Sequence, residues 1–148
     1  MTGPILGLDL GTRRMGLAIS DPETGIALPV GYLPRHGLAR DLEALRALVA
    51  ERAVSRIVVG LPLHLTGSSG PGAQAAREFA RALAEATALP VETLDERWTS
   101  VEAERALREA PARKRRRRKE VVDAMAATLI LRTYLESRHH RTPRGEED

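Results

Sequence analysis

The sequence predicts an α/β domain: a five-stranded mixed sheet with helices on both faces. Three observations carry that reading. Residues 5–33 hold three short apolar stretches separated by turn residues, the pattern of an antiparallel meander. From residue 38 onward, helical and strand-like apolar periodicities alternate, which implies parallel pairing and right-handed crossovers. At 56–62, RIVVGLP is an unbroken apolar run, as expected of a strand covered on both faces.

Each element has a local reason. Ile5 to Leu10 form the first strand, Gly11 to Arg14 a turn, and Met15 to Ser20 the second strand of a hairpin. GIALPVGYL, residues 25–33, is a third strand at the sheet edge, because Pro29 cannot donate to a ladder. In 38–53, Leu38, Leu42, Leu45 and Leu48 or Val49 recur at helical spacing and define one apolar face. The strand at 56–62 leads into the loop TGSSGPG, and 73–87 form a second amphipathic helix. LPVETLDE, residues 89–96, is the fifth strand. Thr99 and Glu102 make a capping box for a short helix to Ala110, stopped by Pro111. EVVDAMAATLILRTYLES, 120–137, is a last, largely buried helix, and the polar residues from His139 read as a frayed tail. Three strands followed by α, β, α, β, α, α is the order of a ribonuclease H-like fold.

The length of 148 residues suits one domain, spanning 1–138 with a disordered tail at 139–148, and buries roughly 68–70 % of the unfolded chain's surface. The absence of cysteine excludes disulfides, thiolate catalysis and Cys-ligated zinc. Aromatic residues make up only 3 % of the chain, so stacking is not expected to dominate any nucleic-acid binding. No apolar run approaches ~18 residues and no signal-peptide pattern opens the chain, so a soluble, cytoplasmic protein that engages no membrane is expected. Basicity is confined to one segment. RKRRRRK, 113–119, carries seven positive charges against a formal net charge of +3, which leaves the rest of the chain net negative. Adjacent like charges repel and bury no apolar area, so 113–119 is expected to be a mobile basic loop, with Arg115, Arg116, Arg117 and Arg118 available to nucleic-acid phosphates.

Three acids stand where acid is locally expensive: Asp9 inside the first strand, Glu96 closing the fifth beside Asp95, and Asp123 near the start of an apolar helix. In a parallel α/β layout strand C-termini and helix N-termini gather on one side, so the three carboxylates can converge there. Converging like charges resist joint ionisation unless divalent cations neutralise them, and hard oxygen donors without His or Cys select Mg²⁺ or Mn²⁺. Such ions activate water and stabilise the leaving oxygen in phosphodiester hydrolysis. Each acid also has a plainer role open to it. Asp9 can accept turn N–H groups, Glu96 can pair with Arg97, and Asp123 can complement a helix dipole. Strand alternation sends Asp95 and Glu96 to opposite faces, which leaves Asp95 as the alternative ligand. Thr12, Arg13 and Arg97 are the further candidates for contacts to substrate phosphates, and the four histidines show no metal spacing.

GLDLGTRRMGLAISD, IVVGLPLHLTGSSG, LDERWTS and VDAMAATLIL, in this order and covering most of residues 5–131, closely resemble the YqgF/RuvX family of nucleases, relatives of the RuvC junction resolvases. The resemblance implies a ribonuclease H-like fold, a role in maturing the 5′ end of pre-16S ribosomal RNA, and branched DNA such as a Holliday junction as the alternative substrate. It also places Asp9, Glu96 and Asp123 on the family's acidic triad. His64 stands where the family usually has Asn, and Thr66 replaces a common Asp. Two other classes compete: a non-catalytic rRNA-binding protein that uses the basic segment, and a nucleotide-binding module, since GLDLGT also resembles the first phosphate loop of the actin, Hsp70 and sugar-kinase group. That group needs two domains, and a Walker A loop is excluded because Leu17 stands where lysine is required. The expected assembly is a monomer or weak homodimer.

Overall fold

The computed structural model describes residues 3–61, 71–95 and 124–138. Its elements are β1 (Ile5–Leu10), β2 (Arg14–Ser20), β3 (Ala27–Pro34), α1 (Leu38–Arg52), β4 (Arg56–Leu61), α2 (Pro71–Thr87), β5 (Val91–Asp95) and α3 (residues 124–138). The expected helix over 99–110, Trp98, His64 and the tail from residue 139 lie outside the described residues.

The five strands form one sheet in the order β3-β2-β1-β4-β5. The meander β1-β2-β3 is antiparallel, and β4 and β5 add to β1 in parallel. β3 is an edge strand, which tolerates Pro29. A bulge lies between Leu17 and Ala18, which pair with Gly31 and Pro29 respectively, and Gly31 adopts a positive φ of 135° beside it.

Side-chain alternation assigns the two faces. Leu6, Leu8, Met15, Leu17, Ile57 and Val59 point to one side, where they pack with Leu45 of α1 and Ala76, Phe79 and Leu83 of α2. The alternate residues Ala18 and Val58 point to the other side, against Ala127, Ile130, Leu131 and Tyr134 of α3. α3 crosses β1 at Gly7. A Cβ there would lie 2.9 Å from Leu131 Cβ and 3.1 Å from the Ala127 carbonyl oxygen, so only glycine admits the helix this close. β4 is buried from Ile57 to Leu61, as its apolar run requires.

Two local expectations are corrected. TGSSGPG does not run as loop to its end, because Pro71 and Gly72 already belong to α2; proline suits a first helical turn, where its missing N–H has no partner to lose. In α1 the apolar face does not begin at Leu38, which is 55 % exposed. The buried residue one turn before Leu45 is Asp41, at 2 %.

Candidate active site

The parallel strands β1, β4 and β5 end on the same side of the sheet, and Asp9 sits at that end, fifth of the six residues of β1. It is half-buried there rather than sunk in mid-strand, so its ionised form pays less desolvation than an interior position would demand. Asp9 pairs with Gly16 across the ladder and shares the parity of Gly7, which puts it on the α3 face. α3 runs toward this carboxylate. Leu135 packs near Ile5 at the start of β1, Ala127 and Leu131 sit over Gly7, and Ala124 with Thr128 borders Tyr32, whose row contains Gly16 and Asp9. The N-terminal end of α3, one residue after Asp123 in sequence, thus lies at Asp9's end of the sheet.

Asp95 closes β5 opposite Leu61, and its parity is that of Val91, which packs in the core beneath α1 and α2. It therefore belongs to the face away from Asp9. Leu94 packs on the α3 side. Of the expected site residues, Glu96, Arg97, Asp123 and Arg115 to Arg118 with the rest of 113–119 lie outside the described residues. Among the described residues no group of three or more His, Cys, Asp or Glu forms a metal cage.

The turn after Asp9 is held from below. Gly11 N donates to the Arg14 carbonyl at 2.9 Å, and a Cβ on Gly11 would stand 2.7 Å from that same oxygen. Thr12 and Arg13 are exposed at the tip, open to an incoming phosphate. Beneath them Arg35 donates from Nη1 to the Gly11 carbonyl (2.7 Å), from its backbone N to the Arg13 carbonyl (2.8 Å), and from Nε to Asp41 Oδ2 (2.8 Å). Asp41 Oδ1 accepts His36 N at 2.8 Å, and the Arg35 guanidinium lies 5.6 Å from the centre of the Phe79 ring. One arginine thereby ties the Asp9 turn to α1 and α2. Apolar periodicity alone does not reveal this pair; its one local signal in the sequence is an aspartate one turn before Leu45 on the buried side of α1.

A second ionic cluster lies at the opposite end of the sheet. Arg56 Nη1 pairs with Glu92 Oε2, which also accepts the Tyr134 hydroxyl at 3.0 Å. Burial, then the hydrogen bond to Glu92 and its charge, push the Tyr134 phenol above its ordinary pKa. Its place at the strand starts makes this cluster a fastening of α3 to the sheet.

Comparison with known proteins agrees with this geometry. The sequence profile of the family described as "RuvX: Holliday junction resolvase" matches residues 3–137. A Chloroflexus aggregans protein named "Putative pre-16S rRNA nuclease" is 48 % identical over 136 residues, which cover 92 % of this chain and 95 % of the relative. A Syntrophomonas wolfei protein of the same name is 49 % identical over 132 residues, 89 % of this chain and 93 % of that one. Among solved structures, Thermus thermophilus RuvC superimposes with a TM-score of 0.56 at 12 % identity, covering 93 % of this chain and 96 % of RuvC. The fowlpox virus Holliday junction resolvase gives 0.54 at 9 % identity over 90 % and 98 %. These two likenesses establish the ribonuclease H-like fold expected from the element order. Sequence profile, relatives and fold agree: the chain belongs to the RuvX family.

Proposed function

We propose that this chain is a divalent-metal-dependent nuclease that hydrolyses phosphodiester bonds in the 5′-end maturation of pre-16S rRNA. The observation that carries the reading is the position of Asp9. It is a half-buried carboxylate at the C-terminal end of β1, on the face that the start of α3 approaches. The names of the relatives supply the substrate. Asp9, Glu96 and Asp123 would hold Mg²⁺ or Mn²⁺, since hard carboxylate oxygens suit those ions and the described part of the site offers neither thiolate nor imidazole. The place of Asp95 on the face away from Asp9 supports Glu96, the next residue in sequence, as the ligand. The bound ions would activate water and offset charge on the leaving oxygen. Thr12 and Arg13, at the exposed tip of the clamped turn, contact substrate phosphates, as do Arg97 and Arg115 to Arg118 by their charge.

Purified protein is assayed on a 16S precursor and on a four-way DNA junction, with Mg²⁺, with Mn²⁺ and with chelator. Asp9→Asn preserves shape while removing a ligand charge, so cleavage should collapse and nucleic-acid binding remain. Full metal-dependent cleavage by Asp9→Asn overturns the reading. Binding without cleavage under any metal identifies a non-catalytic RNA-binding protein. The family description and the RuvC-like fold favour the junction as the second substrate, and cutting of the junction alone would establish it.

A further inference from the structure

The ladder places three residues in one row across the meander: Asp9 on β1, Gly16 on β2 and Tyr32 on β3. Directly opposed residues share a face, so the Tyr32 ring stands on the same side as the Asp9 carboxylate, about 10 Å away by two strand spacings. Gly16 puts no side chain between them. Tyr32 is 38 % exposed, unusual for one of so few aromatic residues. The Arg14 guanidinium lies 5.1 Å from its ring centre, within cation–π range, and comes from the same turn as Thr12 and Arg13. Beside the ring a groove of about 530 Å³ runs between β3 and the start of α3, lined by Pro29, Val30, Gly31, Tyr32, Ala124 and Met125. Its walls are mostly apolar, and its volume falls in the range of small-molecule sites.

An apolar slot with an aromatic wall, a cation stacked on that wall, and the Asp9 carboxylate in the same row together match one occupant: a nucleotide. We propose that this groove is a nucleobase subsite, in which a base of single-stranded nucleic acid next to the scissile phosphate stacks on Tyr32. The proposal deepens the nuclease reading and rests on it. Arg14 does not line the groove; it holds the ring and presents charge to the adjoining phosphate. Stacking here reads no sequence, because every base offers a π face. The subsite therefore selects unpaired over paired substrate and positions the strand across Asp9.

The test measures binding of a short fluorescein-labelled single-stranded RNA, and of the matching DNA strand, by fluorescence anisotropy in the Asp9→Asn background, where the strand stays intact. Tyr32→Ala should weaken binding about 5- to 150-fold, and Tyr32→Phe should bind within about twofold of the parent. One abasic position along the strand should cost the parent the same factor and cost Tyr32→Ala nothing further. That non-additivity separates a stacking contact from a general loss of structure. Unequal losses on the two strands assign the base to RNA or to DNA. Tyr32→Ala binding within about twofold of the parent overturns the subsite and leaves the nuclease reading standing. If the parent binds neither strand, the subsite falls, and the nuclease reading is decided separately by cleavage of the 16S precursor and the junction. If Tyr32→Ala dissolves a dimer in sedimentation while binding is unchanged, the groove joins two copies of the chain and the subsite is excluded.

Discussion

Replacing Asp41 with alanine tests whether the Asp9 turn is held by a buried ion pair. The Asp41 side chain is 2 % exposed, and its two oxygens accept two hydrogen bonds of 2.8 Å, from Arg35 Nε and His36 N. Removing it leaves the Arg35 cation beside Phe79 and the Gly11 carbonyl without the carboxylate that pairs it among the described residues. Breaking a fully buried pair in this way costs about 3–5 kcal/mol. The Arg35 side chain is 28 % exposed, so water recovers part of that loss. The expected destabilisation is therefore about 2–4 kcal/mol. At about 2–4 °C per kcal/mol for a domain of this size, Tm should fall by roughly 4–16 °C. Urea unfolding followed by circular dichroism should show a lower midpoint at unchanged slope. Asp41→Asn keeps an acceptor for His36 N and should lose less. Pairing Asp41→Ala with Arg35→Met in a double-mutant cycle should recover over half of the loss, because the orphaned charge is gone. In folded Asp41→Ala at low temperature, cleavage should drop as well, since Arg35 is what ties the Gly11 carbonyl down. A loss below about 1 kcal/mol, or a cycle with no coupling, would refute the clamp.

Three further outcomes are expected. Gly7→Ala pushes a Cβ to 2.9 Å from Leu131 Cβ and should destabilise by about 1–3 kcal/mol in urea unfolding; an unchanged midpoint would mean that α3 does not rest on Gly7. Tyr134 has its folded pKa raised above the unfolded value of about 10, so its contribution is fully present below that pH and is lost as pH rises through the folded value. Tyr134→Phe should cost about 1 kcal/mol at neutral pH and flatten the alkaline decline in Tm, and equal alkaline slopes for both proteins would exclude this linkage. Replacing Arg115 to Arg118 with serine should reduce the slope of log affinity against log salt by roughly 0.7 for each single-strand phosphate that these arginines neutralise, whereas an unchanged slope would remove the basic run from the interface.

The order of the described elements, the mixed sheet, the edge position of β3 and the place of Asp9 in β1 were legible in the sequence. Each is written in local periodicity: alternation in the strands, helical spacing in α2 and α3, proline at an edge, and an acid in an apolar run. Four ordered motifs were enough to indicate the family. What depended on residues distant in sequence was not legible. Leu38 fits the apolar repeat of α1 yet is exposed, while Asp41 breaks the repeat and is buried, because its carboxylate meets an arginine six positions earlier that reaches back to Gly11. Glu96 was the first candidate and Asp95 the alternative, and nothing local in the sequence says which face Asp95 takes; register puts Val91, and with it Asp95, on the α1/α2 face. Tyr32 reads as one more β-former in an edge strand. Only the pairing of three strands sets it in line with Gly16 and Asp9. Periodicity is a property of neighbours along the chain and survives in the sequence, whereas ion pairing, facing and shared rows are properties of neighbours in space, which exist only once the sheet has closed.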